Sequence, residues 1–388
     1  MIVAKTGNEA MAYAMKQCNP DVVAAYPITP STEIVQIFSS FVADGLVDTE
    51  YIPVESEHSA MSACIGAAAA GARAMTATAS QGLALMHEML FIASGLRLPI
   101  VMCVASRSLS SPLNIHCDHS DSVASRDSGW IQIFCESSQE GYDSVIQAVK
   151  IAEKAYLPVI VAIDGFILSH CMERLEILDD ADVRNFLGKF KPNYSLLDVK
   201  NPITVSPACL TDSYFEHKRA EAEGMRQALP IIEEVIEEYA QKFGRRYPVI
   251  DEYRTEDAEV VILAMGSTVG TTKIVVDELR EQGKRVGVVK LRFFRPLFYK
   301  KMQDVLKKFK VVGILDRVES MSAYISPLAT EVRSALYNIT PRPLTPSYVY
   351  GLGGREISQN DIKMVFDELL QIKETGKIKE EVMYIGVR

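Results

Sequence analysis

The strongest constraint on this chain is a set of short apolar runs that do not alternate with polar residues. They are DVVAAY (21–26), YIPVE (51–55), ARAMTAT (72–78), PIVMCVA (99–105), IQIFC (131–135) and LPVIVAI (157–163). A strand with one wet face shows a polar residue at every second position, whereas a strand covered on both faces reads as a continuous apolar run. Stretches with helical spacing separate the runs, at about 7–17, 31–43, 57–70, 82–95 and 140–155. Repeated strand–helix units of this kind predict a parallel sheet with helices on both faces, the α/β class.

The pattern recurs further along. AEVVILAM (258–265), RVGVVKL (285–291), VVGILD (311–316) and SYVYGLG (347–353) are separated by helical stretches at about 268–282, 298–309 and 358–372. A chain of 388 residues exceeds what one core normally serves, so two α/β domains are expected. The first spans 1–240 and includes a connector over about 175–243, loop-rich at its start and helical from about 215; the second and smaller spans 250–388.

Composition removes several classes of function. No apolar run reaches the ~18 residues of a membrane span. The opening MIVAKTGNEAMAYAM lacks the basic flank, apolar stretch and small-residue cleavage site of a secretory signal, so a cytoplasmic location is expected. The net charge is −9, with no lysine–arginine cluster to neutralise phosphates, so no nucleic-acid partner is expected. The seven cysteines stand at 18, 64, 103, 117, 135, 171 and 209 without a C-x-x-C pair. They read as free thiols, and neither an iron–sulfur cluster nor a structural zinc is expected in this chain.

In open α/β sheets ligands bind at the carboxyl ends of the strands. Four strand-to-helix junctions carry chemistry there. In Tyr26-Pro27-Ile28-Thr29-Pro30-Ser31, Thr29 reads as a helix N-cap before Pro30, and a cap at a strand end can also face a ligand. In Glu55-Ser56-Glu57-His58, Glu57 falls in a first helical turn, where the helix dipole stabilises a carboxylate. The small-residue helix that follows predicts close packing against the sheet or a partner subunit. Ser80 and Gln81 present a hydroxyl, an amide and backbone N–H groups at a third junction, with Ser80 also readable as a cap. The fourth is the loop 106–121. Arg107 leaves a buried strand there and can clamp a carboxylate with two parallel hydrogen bonds or form a structural ion pair. A loop of this length inside a compact domain is usually functional or disordered. Within it, His116-Cys117-Asp118-His119 suggests a metal site, but only the two histidines have ligand spacing, so no metal is expected. Gly351-Leu352-Gly353-Gly354-Arg355 lacks the G-x-G-x-x-G spacing of a phosphate loop and reads as a tight turn.

Together, YPITPSTEI, VESEHSAMSACIGAAAAGARAMTATASQGLALMHEML, LPIVM followed by an arginine, and RDSGWIQ resemble the α subunit of archaeal- and bacterial-type 2-oxoacid:ferredoxin oxidoreductases; RTEDAEVVILAMGS, KLRFFRPL and VYGLGGRE resemble its second domain. The resemblance implies a pyrimidine-type thiamine-pyrophosphate-binding domain followed by a transketolase-C-terminal-like domain. It implies oxidative decarboxylation of a 2-oxoacid with coenzyme A to an acyl-CoA and carbon dioxide, with electrons passed to ferredoxin. It also implies β-, γ- and δ-type partner subunits. One of these would hold magnesium and the cofactor's diphosphate, and the 4Fe-4S clusters would lie in partners only. The chain lacks Gly-Asp-Gly with a downstream Asn, and its nearest string, Ile163-Asp164-Gly165-Phe166, lacks the first glycine.

Residue by residue, the resemblance implies that Glu57 hydrogen-bonds the cofactor's pyrimidine nitrogen, that Thr29 lies beside the substrate and that Arg107 binds its carboxylate. It places Thr29, Ser80 and Gln81 against the cofactor as well. Thr29, where oxalate-using members carry arginine, disfavours oxalate, and 109–115 reads closer to the pyruvate type than to the branched-chain (2-oxoisovalerate) type. His116 stands where the family often has an aromatic residue. The β-type subunit of a lipoamide-linked 2-oxoacid dehydrogenase shares the two-domain layout and is the other enzyme reading; a homologue that has lost activity is the non-catalytic one.

Overall fold

The structure is a computed structural model that describes residues 1–321 and 323–388. Its strands are β1 (Ile2–Thr6), β2 (Val22–Ala25), β3 (Glu50–Pro53), β4 (Ala74–Thr78), β5 (Ile100–Ser106), β6 (Ile131–Phe134), β7 (Val159–Asp164), β8 (Met172–Glu176), β9 (Ile250–Tyr253), β10 (Val260–Ala264), β11 (Val286–Leu291), β12 (Phe293–Arg295), β13 (Val311–Asp316), β14 (Ser347–Val349) and β15 (Val382–Tyr384). The main sheet runs in the order β12–β6–β7–β5–β4–β2–β3. Each of the six apolar runs between 21 and 163 became one of its strands, and these six pair with one another in parallel. β4, β5, β6 and β7 are buried along their whole length, as continuous apolar runs require. β3 departs from that expectation. It pairs with β2 alone, at the sheet edge, and its residues are exposed or half-buried.

A second sheet runs β15–β14–β13–β10–β11–β9, parallel except for β9. Its two faces look into different cores. Val261 and Leu263 on β10 join the core of the main sheet, while their neighbours Val260 and Ile262 pack in a separate cluster with Ile362, Val365 and Phe366 of the helix Gln359–Thr375. The alternation of side chains along a strand thus ties the two sheets together. Each such buried Val, Leu or Ile contributes roughly 1.5–3 kcal/mol.

The segment KLRFFRPL leaves the second sheet and adds β12 to the main one, antiparallel to β6, with Phe293 opposite Ile133. That crossing follows from its charges. Lys290 and the fully buried Arg292 both pair with Glu140 on the helix Ser138–Ala155, and Arg292 Nη2 donates to Ser144 Oγ at 2.8 Å. A buried carboxylate needs such partners, and making them places Phe293 and Phe294 against the first core.

The early connector is more ordered than its composition suggests. β8 pairs antiparallel with β1, and Asp180–Leu187 forms a helix anchored where Lys16 meets Asp180. The helical stretch expected at 82–95 is interrupted at Met86 into Ser80–Leu85 and His87–Gly95. Tyr214–Phe243 is a continuous 30-residue helix. No helix of the described residues is long and apolar enough to cross a membrane.

Candidate active site

The carboxyl ends of β2, β3, β4 and β5 lie along one edge of the main sheet, and each hands over to one of the four junctions. Glu57 opens the helix Glu57–Ala69, whose N-cap Ser56 accepts the Ser59 N–H at 3.3 Å. The Glu57 side chain is buried, with 6% of the residue exposed. No hydrogen-bond donor among the described residues reaches its carboxylate. Instead it lies against the next junction: a Cβ on Gly82 would come 2.6 Å from Glu57 Oε1 and 2.4 Å from Thr78 Oγ1. Thr78 Oγ1 and Gln81 Nε2 are both buried without a hydrogen-bond partner. The Glu57 carboxylate and the Thr78 hydroxyl thus meet at one glycine without a hydrogen-bond partner among the described residues, and the amide nitrogen of the adjoining Gln81 is also unpartnered.

Thr29 is not the helix cap that its spacing suggests. The Thr29–Pro30 peptide is cis, the helix begins at Thr32, and Ser31 turns its N–H and its hydroxyl back onto Ile28 O, each at 2.9 Å. Thr29 is exposed, and its carbonyl accepts from Arg107 Nη1 at 2.9 Å. Ser80 is not a cap either. Ala79 holds that position, and Ser80 sits at φ +48° with its hydroxyl 2.6 Å from Ser108 O and from Gln81 Oε1.

Arg107 makes no structural ion pair. Nε donates to Asn114 O at 2.9 Å and Nη1 to Thr29 O, which leaves Nη2 without an acceptor among the described residues. Burial lowers the guanidinium pKa, and the nearby Asp121 opposes that shift. Asp121 holds two strand ends at once, because its Oδ2 accepts the backbone N–H of Ser80 at 2.9 Å and of Arg107 at 3.0 Å. Burial pushes its own carboxyl up to about 6 against those hydrogen bonds. The structure therefore joins Thr29, Ser80 and Arg107 through direct or shared hydrogen bonds. It sets Glu57 with Thr78, Gln81 and Gly82. Asp121 closed the loop singled out from sequence, yet its spacing gave no signal of this role.

A second polar cluster lies between the sheets. Asp164, ending β7, accepts from His119 Nε2 at 2.8 Å, Arg317 Nη1 at 2.8 Å and the Ser267 N–H at 3.1 Å. His119 and Arg317 hold its carboxyl well below the usual range despite burial. Cys117, His119 and Asp164 present donor atoms within 4.8 Å of one another. Sequence spacing singled out His116 with His119, but His116 packs on Phe166 instead, with ring centroids 5.0 Å apart. The Arg317 guanidinium already supplies the positive charge at this cluster, and burial together with Asp164 raises the Cys117 thiol well above its ordinary value. A metal would need the thiolate. A cavity of about 630 Å³ lies elsewhere, against Phe91, Leu96, Arg97, Tyr214 and Lys218.

Residues 13–237 match the family model described as pyruvate flavodoxin/ferredoxin oxidoreductase, thiamine diphosphate-binding, and residues 258–362 match the one for pyruvate:ferredoxin oxidoreductase core domain II. The chain belongs to the pyruvate:ferredoxin oxidoreductase family. It is 54% identical to the pyruvate synthase subunit PorA of Thermotoga maritima, over 100% of this chain and 98% of that one. It is 43% identical to the ketoisovalerate oxidoreductase subunit VorA of Pyrococcus abyssi, over 99% and 97%. Its fold is similar to that of a 2-oxoglutarate:ferredoxin oxidoreductase from Magnetococcus marinus, with a TM-score of 0.69 at 19% identity, covering 95% of this chain and 65% of that one.

Proposed function

We propose that the chain is the α-type subunit of a pyruvate:ferredoxin oxidoreductase, acting in oxidative decarboxylation of pyruvate with coenzyme A to acetyl-CoA and carbon dioxide, with electrons passed to ferredoxin. One observation carries the reading: a buried Glu57 carboxylate without a donor among the described residues, meeting the orphaned Thr78 Oγ1 at Gly82, with Gln81 Nε2 of the same junction also orphaned. These groups fit the pyrimidine end of thiamine pyrophosphate, which needs a carboxylate at its ring nitrogen. When bound, the cofactor supplies the carbon nucleophile and the electron sink of the reaction.

The chain's own residues then bind, orient and move a proton. Glu57 hydrogen-bonds the pyrimidine nitrogen and stabilises its protonated form. Gln81 offers its free amide, and Ser80 is fixed close by. Arg107, with Nε and Nη1 engaged, turns the free Nη2 toward the substrate carboxylate beside Thr29.

Completion of the site belongs to partners. Among β-, γ- and δ-type partner subunits, one holds magnesium and the diphosphate, and the 4Fe-4S clusters lie in the partners only. Asp164, in the string nearest to a magnesium motif, is already committed to His119, Arg317 and Ser267. Cys18, Cys64 and Cys135 are buried in the apolar core, and burial pushes their thiols up to about 12, as free structural thiols behave. The same reasoning supports a chain with no metal of its own. We place the complex in the cytoplasm. The domain division is 1–240, including the connector at about 175–243, and 250–388; the gap between the family matches at 237 and 258 supports it.

The higher identity to a pyruvate synthase subunit than to a ketoisovalerate one supports pyruvate. Viologen reduction by the assembled complex tests this, with a higher kcat/KM expected for pyruvate than for 2-oxoisovalerate. The reverse order would assign the branched-chain substrate.

A further inference from the structure

The second α/β unit reaches the segment 114–118 through its loop 351–355. Asn114 donates from Nδ2 to Gly353 O at 3.0 Å, while its Oδ1 accepts the His116 N–H at 2.7 Å. The Gly353 N–H donates to Asp118 Oδ2 at 3.3 Å, and the Gly354 N–H to Cys117 O at 2.6 Å. The loop 351–355, which reads from sequence as a tight turn, is thus a clasp on the segment 114–118. Its glycines are required by contact as well as by conformation. Gly353 has φ +61° and a Cβ there would stand 2.3 Å from Asn114 Nδ2, while a Cβ on Gly354 would stand 2.4 Å from His116 Cβ. The backbone held in this way carries the Asn114 carbonyl that accepts Arg107 Nε.

We infer that Asn114 is a positioning residue for substrate recognition, and that the Gly353–Gly354 loop acts through it to hold the Arg107 guanidinium in the plane that meets the 2-oxoacid carboxylate. The inference rests on the reading of Arg107 as the carboxylate clamp. A guanidinium fixed at Nε and Nη1 presents its remaining edge in one orientation, so little rotamer freedom is lost when the carboxylate arrives. Released at Nε, it keeps its charge and loses its aim. The second sheet therefore contributes to substrate specificity without touching the substrate.

The test uses the assembled complex and reads KM for pyruvate, KM for coenzyme A, and calorimetric affinity for oxamate, a carboxylate-bearing analogue of pyruvate. Asn114→Ala should weaken pyruvate KM and oxamate affinity by about three- to tenfold, the scale of one lost hydrogen bond. KM for coenzyme A should stay unchanged. Gly353→Ala should reproduce the effect, and the Asn114→Ala/Gly353→Ala double variant should not exceed the larger single effect, because both act through one contact. On an Arg107→Ala background, Asn114→Ala should change pyruvate kcat/KM by less than about twofold. A full, additive loss on that background overturns the inference, as does an unmoved oxamate affinity in Asn114→Ala where Arg107→Ala weakens it. If Arg107→Ala leaves oxamate binding unmoved, the clamp reading itself fails.

Discussion

Two regions of the molecule hold buried carboxylates and treat them in opposite ways. Between the sheets, Asp164 is saturated, accepting from His119, Arg317 and Ser267. At the strand ends, among the described residues, Glu57 has no donor, Thr78 Oγ1 has no partner, and Arg107 Nη2 has no acceptor. Leaving a buried polar group unpaired costs about 1–3 kcal/mol. The first region uses its charges to join the two sheets, while the second leaves them unpaired, as the proposed cofactor and substrate contacts require. Burial alone does not separate the two roles, since both carboxylates are buried. The count of satisfied hydrogen bonds does.

Glu57→Gln probes the difference most severely. In the assembled complex turnover should fall by about 10²- to 10⁴-fold, the range of a general acid–base role, while the thermal midpoint of the chain stays within a few degrees. C2-proton exchange of bound cofactor, followed by NMR, should slow in parallel. Exchange at the wild-type rate would move Glu57 into the structural class with Asp164.

Asp164→Ala should do the reverse. Breaking a buried pair costs about 3–5 kcal/mol of stability, readable by urea denaturation. Because the folded pKa of Asp164 lies below its unfolded value, its stabilisation is complete above the unfolded pKa and is lost as acid titrates it toward the folded one. A cost under about 1 kcal/mol would mean that the network does not hold the sheets.

Arg107→Lys keeps a charge and removes the fork. A loss of about 2–4 kcal/mol in pyruvate kcat/KM, roughly thirty- to thousandfold, is expected with coenzyme A kinetics little changed. A loss within threefold would make Arg107 structural.

The smallest effect is at Asp121, which lies between the two regimes, hydrogen-bonded yet raised in pKa to about 6 by burial. Its folded pKa exceeds the unfolded value, so its contribution is fully present below about pH 4 and fades as pH rises through about 6. Asp121→Asn should flatten that part of the stability–pH curve by about 1–3 kcal/mol. An unchanged slope would assign the titration elsewhere, with the equally raised Asp316 next in line.

The sequence by itself determined the α/β class, β2, β4, β5, β6 and β7 as buried strands, and the positions of residues 29, 57, 80 and 107 at carboxyl ends of strands. These follow from side-chain period and from where each apolar run stops, which are local properties of the chain. Only the tertiary structure decided which polar groups are satisfied. Asp164 and Arg317 are 153 residues apart, and Asn114 and Gly353 are 239 apart. Thr29 and Ser80 do not take their expected capping roles, and their backbone groups pair instead with residues far along the chain, the Thr29 carbonyl with Arg107 and the Ser80 N–H with Asp121. KLRFFRPL crossed to the main sheet because Glu140 lay there to pair with its charges. Hydrogen-bond partners that packing brings together leave no period in a sequence, so the distinction between a charge satisfied within the fold and a charge left unpaired became visible only in the tertiary structure.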